Sequence, residues 1–166
     1  MLAVIGAALV AAGCAGLGFM AVRRLALREK TLRAWVLFTE RAEREIGFCL
    51  TPLPGLAALL THPSLARFAL YLQKEYTPFC GRAFSEIWES AARELDLPEE
   101  DRELVSSIGG ILGRYDADNQ ARGLAQTRAR LNEALSRASL ARAAYSRVYG
   151  ALGVVCGLTA LIVFAL

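Results

Sequence analysis

The stretches MLAVIGAALVAAGCAGLGFMAV (residues 1–22) and VYGALGVVCGLTALIVFAL (residues 148–166) contain no Lys, Arg, Asp or Glu. The 19 basic and 16 acidic residues of the chain all lie between them. As α-helices rising about 1.5 Å per residue, the two stretches would be about 33 and 28 Å long, enough to cross the hydrocarbon core of a bilayer. The sequence therefore predicts transmembrane helices at 1–22 and 148–166 and a polar domain over 23–147.

Basic residues mark the inner edge of each predicted transmembrane helix. Arg23, Arg24 and Arg28 follow the first, whereas Arg142 and Arg147 precede the second. Because basic residues favour the cytoplasmic side, both clusters predict a cytoplasmic middle domain and termini outside the cell membrane. The net charge of +3 is too small to indicate a nucleic-acid partner. The partner expected from these segments is the lipid bilayer.

The first segment also has features of a secretory signal. The residues Ala11 to Cys14 approximate a lipoprotein processing site, since small residues precede a cysteine. A signal peptide, however, requires a positively charged region before its apolar stretch, and here the positive charges follow it. We therefore predict an uncleaved anchor.

The polar middle of the chain has the pattern of an all-α domain. Apolar residues recur at three- and four-residue steps, without the period of two that is typical of strands. Prolines restart the helical pattern at Pro52, Pro63 and Pro98, and Gly47 marks a weak point before the first of them. We predict a helical bundle of about six helices, whose first and last helices extend into an antiparallel pair of transmembrane helices.

Three apolar stripes identify side chains expected in the core. The first comprises Leu32, Trp35, Thr39, Ala42 and Ile46. The helix before Pro98 carries Phe84, Ile87, Trp88, Ala91 and Leu95. The last helix, from about Asp118, carries Leu124, Leu131, Ala138 and Tyr145 at seven-residue intervals. A weak helix or a bend is expected at Gly109–Gly110, because glycine is a poor helix former.

The sequence offers no recognisable catalytic or cofactor site. The single histidine, His62, precedes Pro63 and belongs to no grouping of Cys, Ser or carboxylate side chains that indicates a catalytic dyad or a metal site, so it is expected to be a loop or capping residue. The cysteines form no C-x-x-C pair, and no phosphate-binding glycine motif is present. We therefore predict no cofactor, no metal, no catalytic residue and no small-molecule substrate.

The segment Asp116 to Asn119 resembles the start of a calcium-binding loop. Such a loop requires glycine at its sixth position and glutamate at its twelfth, where this chain has Ala121 and Thr127. Asp116 or Asp118 is instead expected to cap the last helix.

Two other classes of function stay open at this point. A membrane-bound enzyme could use scattered carboxylates such as Glu40, Glu43 and Glu86, and a pocket containing two of them would favour it. A membrane sensor could transmit a signal through the end helices. The preferred interpretation is a non-enzymatic anchored domain that binds other proteins.

Two motifs in this chain resemble those of a known family. Glu45-Ile46-Gly47 with Leu50-Thr51-Pro52-Leu53-Pro54 is similar to the characteristic turn of the stage III sporulation protein AB family. Leu112-Gly113-Arg114-Tyr115-Asp116, followed by Gln120, resembles its second signature at the entry to the last helix. The resemblance covers essentially the whole chain, and it rests on the order and spacing of these motifs together.

The resemblance implies a mother-cell membrane protein of endospore-forming bacteria. It implies a place in the channel or secretion-like complex that joins mother cell and forespore, with other proteins of the stage III sporulation A operon as partners. The cytoplasmic domain would be similar to the F-type domains of type II secretion platforms and would dock a cytoplasmic ATPase, the AA protein. The candidate residues for partner contact or for turn formation are Thr51, Pro52, Leu53, Pro54, Gly113, Asp116 and Gln120.

Overall fold

The computed structural model describes residues 2–49, 55, 58–77, 81–113 and 116–165. Within these ranges it does not describe the side chains at 2–12, 14, 15, 17, 48, 49, 150, 151 and 153–165. The described part is all helical. Its five α-helices are α1 (Leu2–Arg44), α2 (Ala66–Glu75), α3 (Phe84–Arg93), α4 (Glu99–Ile111) and α5 (Ala117–Ala165). A π-helical turn (Glu45–Cys49) follows α1, and a 3₁₀ turn (Pro63–Leu65) leads into α2.

The all-α prediction is confirmed, and five α-helices are described where about six were expected. The additional helix predicted from Pro52 to about Leu60 lies largely outside the described residues. Most side chains of the two predicted transmembrane segments, 1–22 and 148–166, also lie outside them. Within the part of the chain that is described, no helix is both long and apolar enough to cross a membrane.

The chain divides into two compact units. The first unit combines Met1–Leu27 with Arg137–Leu166, and the second unit is Arg28–Ser136. Helices α1 and α5 each contribute residues to both units. The second unit therefore begins and ends inside the polar domain expected over 23–147.

Aromatic side chains from three helices form the centre of the second unit. The ring of Trp35 on α1 lies 4.9 Å from Phe68 on α2 and 5.8 Å from Trp88 on α3, measured between centroids. Phe68 and Trp88 lie 4.7 Å apart in an edge-to-face arrangement, which is favourable for aromatic pairs. The indole N–H of Trp88 donates to the carbonyl oxygen of Val105 at 2.8 Å, so this large side chain is buried with its polar atom satisfied.

The predicted stripes occupy the core with few exceptions. Every member of the first stripe is buried, including Thr39, whose hydroxyl donates to the carbonyl oxygens of Trp35 and Val36 at 3.0 and 2.9 Å. In the last stripe the first three members are fully buried, whereas Tyr145 is 49% exposed. The helical periodicity therefore identifies the buried face of α5 as far as Ala138, the second residue of α5 in the first unit, but not at Tyr145.

In the first unit, α1 and α5 pack against each other in opposite directions. Gly18 lies against the ring of Tyr149, and a side chain at Gly18 would overlap that ring. Further along α1, Met20 and Arg24 lie beside Tyr145, which precedes Tyr149 on α5. Since later residues of one helix meet earlier residues of the other, these segments of α1 and α5 are antiparallel.

Candidate functional site

The second signature motif forms the corner between α4 and α5. Helix α4 ends at Ile111, and the N–H of Leu112 donates to the carbonyl oxygen of Ile108 at 3.0 Å. Gly113 follows with a φ of 76°, a left-handed conformation that side chains with a Cβ rarely adopt. The chain thus leaves α4 through a glycine that the backbone geometry requires.

Asp116 begins the next helix. Its carbonyl oxygen accepts the N–H of Gln120 at 3.0 Å, and its carboxylate accepts the side-chain amide of Asn119. That hydrogen bond lowers the pKa of Asp116 below its ordinary value, with further contributions from its own and Asn119's backbone N–H and from the nearby charge of Arg122. Asp116 thus stands immediately before the first residue of α5, the position at which a capping residue was expected.

Gln120 connects the two sides of the corner. Its side-chain Oε1 accepts the N–H of Gly113 at 3.2 Å, seven residues earlier. Gly113, Asp116 and Gln120 are therefore brought together by hydrogen bonds at the corner. Gly113 and Asp116 are exposed, so the corner is also open to a partner. Arg114 and Tyr115 lie outside the described residues.

The first signature motif, Thr51 to Pro54, lies outside the described residues, but its flanks are described. Before it, α1 ends at Arg44 and the π-helical turn contains Gly47, the predicted weak point. After it, Arg41 on α1 donates to the hydroxyl of Thr61 at 3.3 Å. This hydrogen bond joins α1 to the segment that follows the motif.

His62 has the capping role that the sequence predicted. Its imidazole Nδ1 accepts the backbone N–H of Ser64 at 3.2 Å, at the start of the 3₁₀ turn. The described part of the chain contains no group of three or more His, Cys, Asp or Glu side chains that could hold a metal ion.

One of the five basic residues expected to mark membrane topology forms an ion pair with a buried acid. Arg23, Arg24, Arg142 and Arg147 are exposed. The Arg28 side chain is only 23% exposed, and its Nε and Nη2 donate to the two carboxylate oxygens of Asp101 at 2.6 and 3.1 Å. The hydrogen bond to Asp101 raises the pKa of Arg28 above its ordinary value. Arg28 therefore ties α1 to the first turn of α4.

Asp101 is a buried residue that the sequence analysis did not identify. It stands with Glu99 and Glu100 in the first turn of α4, where acids complement the positive end of the helix dipole, yet its side chain is fully buried. The signal was present in the spacing, because Asp101 lies four residues before Val105 and seven before Ile108, on the buried face of α4. An acid on an apolar stripe indicates a buried partner rather than a solvated cap.

The three carboxylates considered for an enzyme, Glu40, Glu43 and Glu86, have different surroundings. Glu40 pairs with Arg44 on the next turn of α1, and Glu43 lies 3.4 Å from Arg128 on α5. Glu86 is exposed in the first turn of α3. Two of these three carboxylates thus form ion pairs, Glu40 within α1 and Glu43 between α1 and α5.

Comparison with known proteins adds one match. Residues 3–165 match the family described as stage III sporulation protein AB. No curated protein and no solved structure matches the chain.

Proposed function

The chain belongs to the stage III sporulation protein AB family, and from that premise we propose that it is a membrane-anchored, non-catalytic platform subunit. It serves the channel or secretion-like complex between mother cell and forespore, and its middle domain docks a cytoplasmic ATPase, the AA protein. The single observation that carries this proposal is the family match along nearly the whole chain, 3–165.

The distribution of exposed apolar side chains supports the membrane anchor. Nine large hydrophobic side chains are exposed in the described part of the chain, and seven of them belong to the first unit. They are Phe19, Met20, Leu27, Leu140, Tyr145, Val148 and Leu152. Apolar surface of this extent on one unit indicates contact with lipid or protein rather than water, and it adjoins the two charge-free ends of the chain.

The anchor and its topology are tested by cysteine labelling in intact cells. The four native cysteines are replaced by alanine, and the exposed Glu103 on α4 is changed to cysteine. We expect a membrane-impermeant maleimide to label this position only after the membrane is opened, and the chain to stay in the membrane after alkaline extraction. Labelling in intact cells, or release by alkali, contradicts the proposal.

The ATPase contact is tested with the full chain in lipid nanodiscs. We place the contact at the exposed corner, where Asp118 in the first turn of α5 is exposed. The expected result is binding of the AA protein at micromolar concentration and a loss of about tenfold in affinity for Asp118→Lys. Glu133→Lys, an equivalent charge reversal at an exposed position further along α5, is the matched control and should bind normally. Absence of binding at tens of micromolar refutes ATPase docking.

A further inference from the structure

A groove runs between α2 and α3 on the surface of the second unit. Its volume is about 400 Å³, and it is lined by Arg67, Phe68, Leu70, Tyr71, Lys74, Ala91, Glu94 and Leu95. Phe68 and Ala91 are buried and form its floor, whereas Leu70 at its edge is 64% exposed. Leu70 is the more exposed of the two large hydrophobic side chains that the described part of the second unit presents to solvent.

Two basic side chains flank Leu70 on α2. Arg67 precedes it by three residues and Lys74 follows it by four, so all three lie along one side of the helix. Both cations are exposed, and neither has a hydrogen-bond or ion-pair partner among the described residues. Seven arginines of the described part do pair with an Asp or Glu. The α2 pair is thus left available for charges on another molecule.

The opposite wall of the groove carries an acid. Glu94 is exposed just beyond the C-terminal end of α3. The groove is therefore basic along α2, apolar in the middle and acidic along α3. An anionic membrane surface would be repelled by Glu94, whereas a helix with different faces can satisfy both walls.

We propose that this groove, defined by the residues from Arg67 to Lys74 of α2 and from Ala91 to Leu95, binds an acidic amphipathic helix of a partner protein. Arg67 and Lys74 are about 10.5 Å apart along the axis of α2, because each residue rises about 1.5 Å. A partner helix with acids seven residues apart matches this span, and apolar side chains between those acids reach Leu70 and Tyr71. This surface is separate from the α4–α5 corner and does not depend on docking of an ATPase there.

A helix from a second copy of this chain does not match the groove, because the match requires two exposed acids seven residues apart on one helix. The chain's acids stand seven residues apart only at positions 89 and 96, 94 and 101, and 96 and 103. Asp96 and Glu94 lie outside the described helices, and Asp101 is buried against Arg28. A second copy of the chain therefore offers no exposed helix with the matching pair of acids.

The test measures binding of synthetic helical peptides to the full chain in nanodiscs by fluorescence anisotropy. The acidic peptide is an alanine-rich helix with two glutamates seven residues apart and two leucines between them. One control peptide replaces the glutamates by lysines, and another replaces the leucines by alanines. We expect only the acidic, leucine-containing peptide to bind, with a dissociation constant below about 100 μM.

Charge reversal of the groove should reverse this preference. The double variant Arg67→Glu/Lys74→Glu should lose at least about tenfold in affinity for the acidic peptide and gain binding of the lysine peptide. The matched control is Arg130→Glu/Arg137→Glu, an exposed basic pair with the same spacing on α5, which should bind like the unchanged chain.

Leu70→Ser should weaken binding of the acidic peptide about tenfold, because one buried leucine contributes on the order of that factor. Leu140→Ser, at a leucine of similar exposure (68%) on α5, should not. Equal binding of acidic and basic peptides, an unchanged affinity in the groove variants, or no binding of the acidic peptide at millimolar concentration overturns the proposal. Concentration-dependent dimers, or a preference for anionic nanodiscs, that disappear in the groove variants also overturn it, by assigning the groove to a second copy or to lipid.

Discussion

At the scale of single residues, the ion pair between Arg28 and Asp101 places a charge inside the protein. Asp101 is fully buried, so removing its partner leaves an unpaired charge inside the protein. We expect Arg28→Met to lower the free energy of unfolding by about 2–4 kcal/mol. Changing both residues, as Arg28→Met/Asp101→Leu, should restore most of that loss, since the buried charge is then gone. Thermal unfolding followed by helical circular dichroism measures both effects.

The control for this prediction is Arg33, an arginine whose side chain is mostly exposed although it forms an ion pair. Arg33 pairs with Glu29 one turn earlier on α1, and its side chain is 63% exposed. Arg33→Met should cost less than about 0.5 kcal/mol, because solvent screens such pairs. If Arg28→Met is no more costly than Arg33→Met, the buried pair does not stabilise the fold.

These residues also show what sequence reasoning could and could not provide. The stripe containing Trp35 and Thr39 was recognised because helical periodicity is a local signal. The pairing of Asp101 with Arg28 was not recognised, because the two residues are 73 positions apart and charge alone does not identify a pairing over that separation. Periodicity could have indicated that Asp101 is buried, but not which cation meets it.

At the scale of elements, α3 and α4 pack closely because one glycine lies at their contact. A side chain at Gly109 would overlap the indole of Trp88, whose N–H is fixed by Val105. Gly109→Ala should therefore lower the free energy of unfolding by about 1–3 kcal/mol. At the adjacent Gly110 a Cβ would meet nothing within 4 Å. Gly110→Ala should raise stability by up to about 1 kcal/mol, because alanine favours helix.

The opposite signs expected at these two neighbouring glycines make this comparison decisive. Equal effects, measured as shifts in thermal unfolding temperature, would mean that helix propensity alone governs this part of α4. The pair also shows why the sequence suggested a weak helix or a bend, whereas α4 continues as a helix to Ile111. Helix propensity penalises both glycines, but packing against Trp88 requires the first, and tertiary contact overrides the local preference.

The α4–α5 corner should give the fold a specific acid dependence. The pKa of Asp116 is lowered chiefly by its hydrogen bond to Asn119. A lowered folded-state pKa contributes stability that is present above the unfolded-state value of about 3.9 and is lost as pH falls through the folded-state value. Asp116→Asn keeps a good helix cap but does not titrate, so it should flatten the decrease of unfolding temperature below about pH 4. A decrease that is unchanged in Asp116→Asn would mean that this carboxyl does not contribute to the acid dependence.

At the scale of the whole molecule, charge and packing divide the chain at different places. The charge-free ends predicted a polar domain over 23–147, whereas the compact second unit extends from Arg28 to Ser136. Charge reports which residues prefer water, but a compact unit is defined by side chains that bury one another. The exposed Tyr145 illustrates the difference, since it continues the heptad stripe in sequence yet no longer lies in a core.

The second unit should therefore fold as an independent domain. Of 23 buried hydrophobic side chains in the described part of the chain, 22 belong to Arg28–Ser136, which also contains both members of the buried ion pair. A fragment of residues 28–136 should be helical and should unfold in one cooperative thermal transition. A fragment of residues 34–136 lacks Arg28 and the buried Leu32, and it should unfold at a clearly lower temperature because Asp101 then has no cation. A gradual, non-cooperative transition in the longer fragment would mean that the second unit requires the first for its fold.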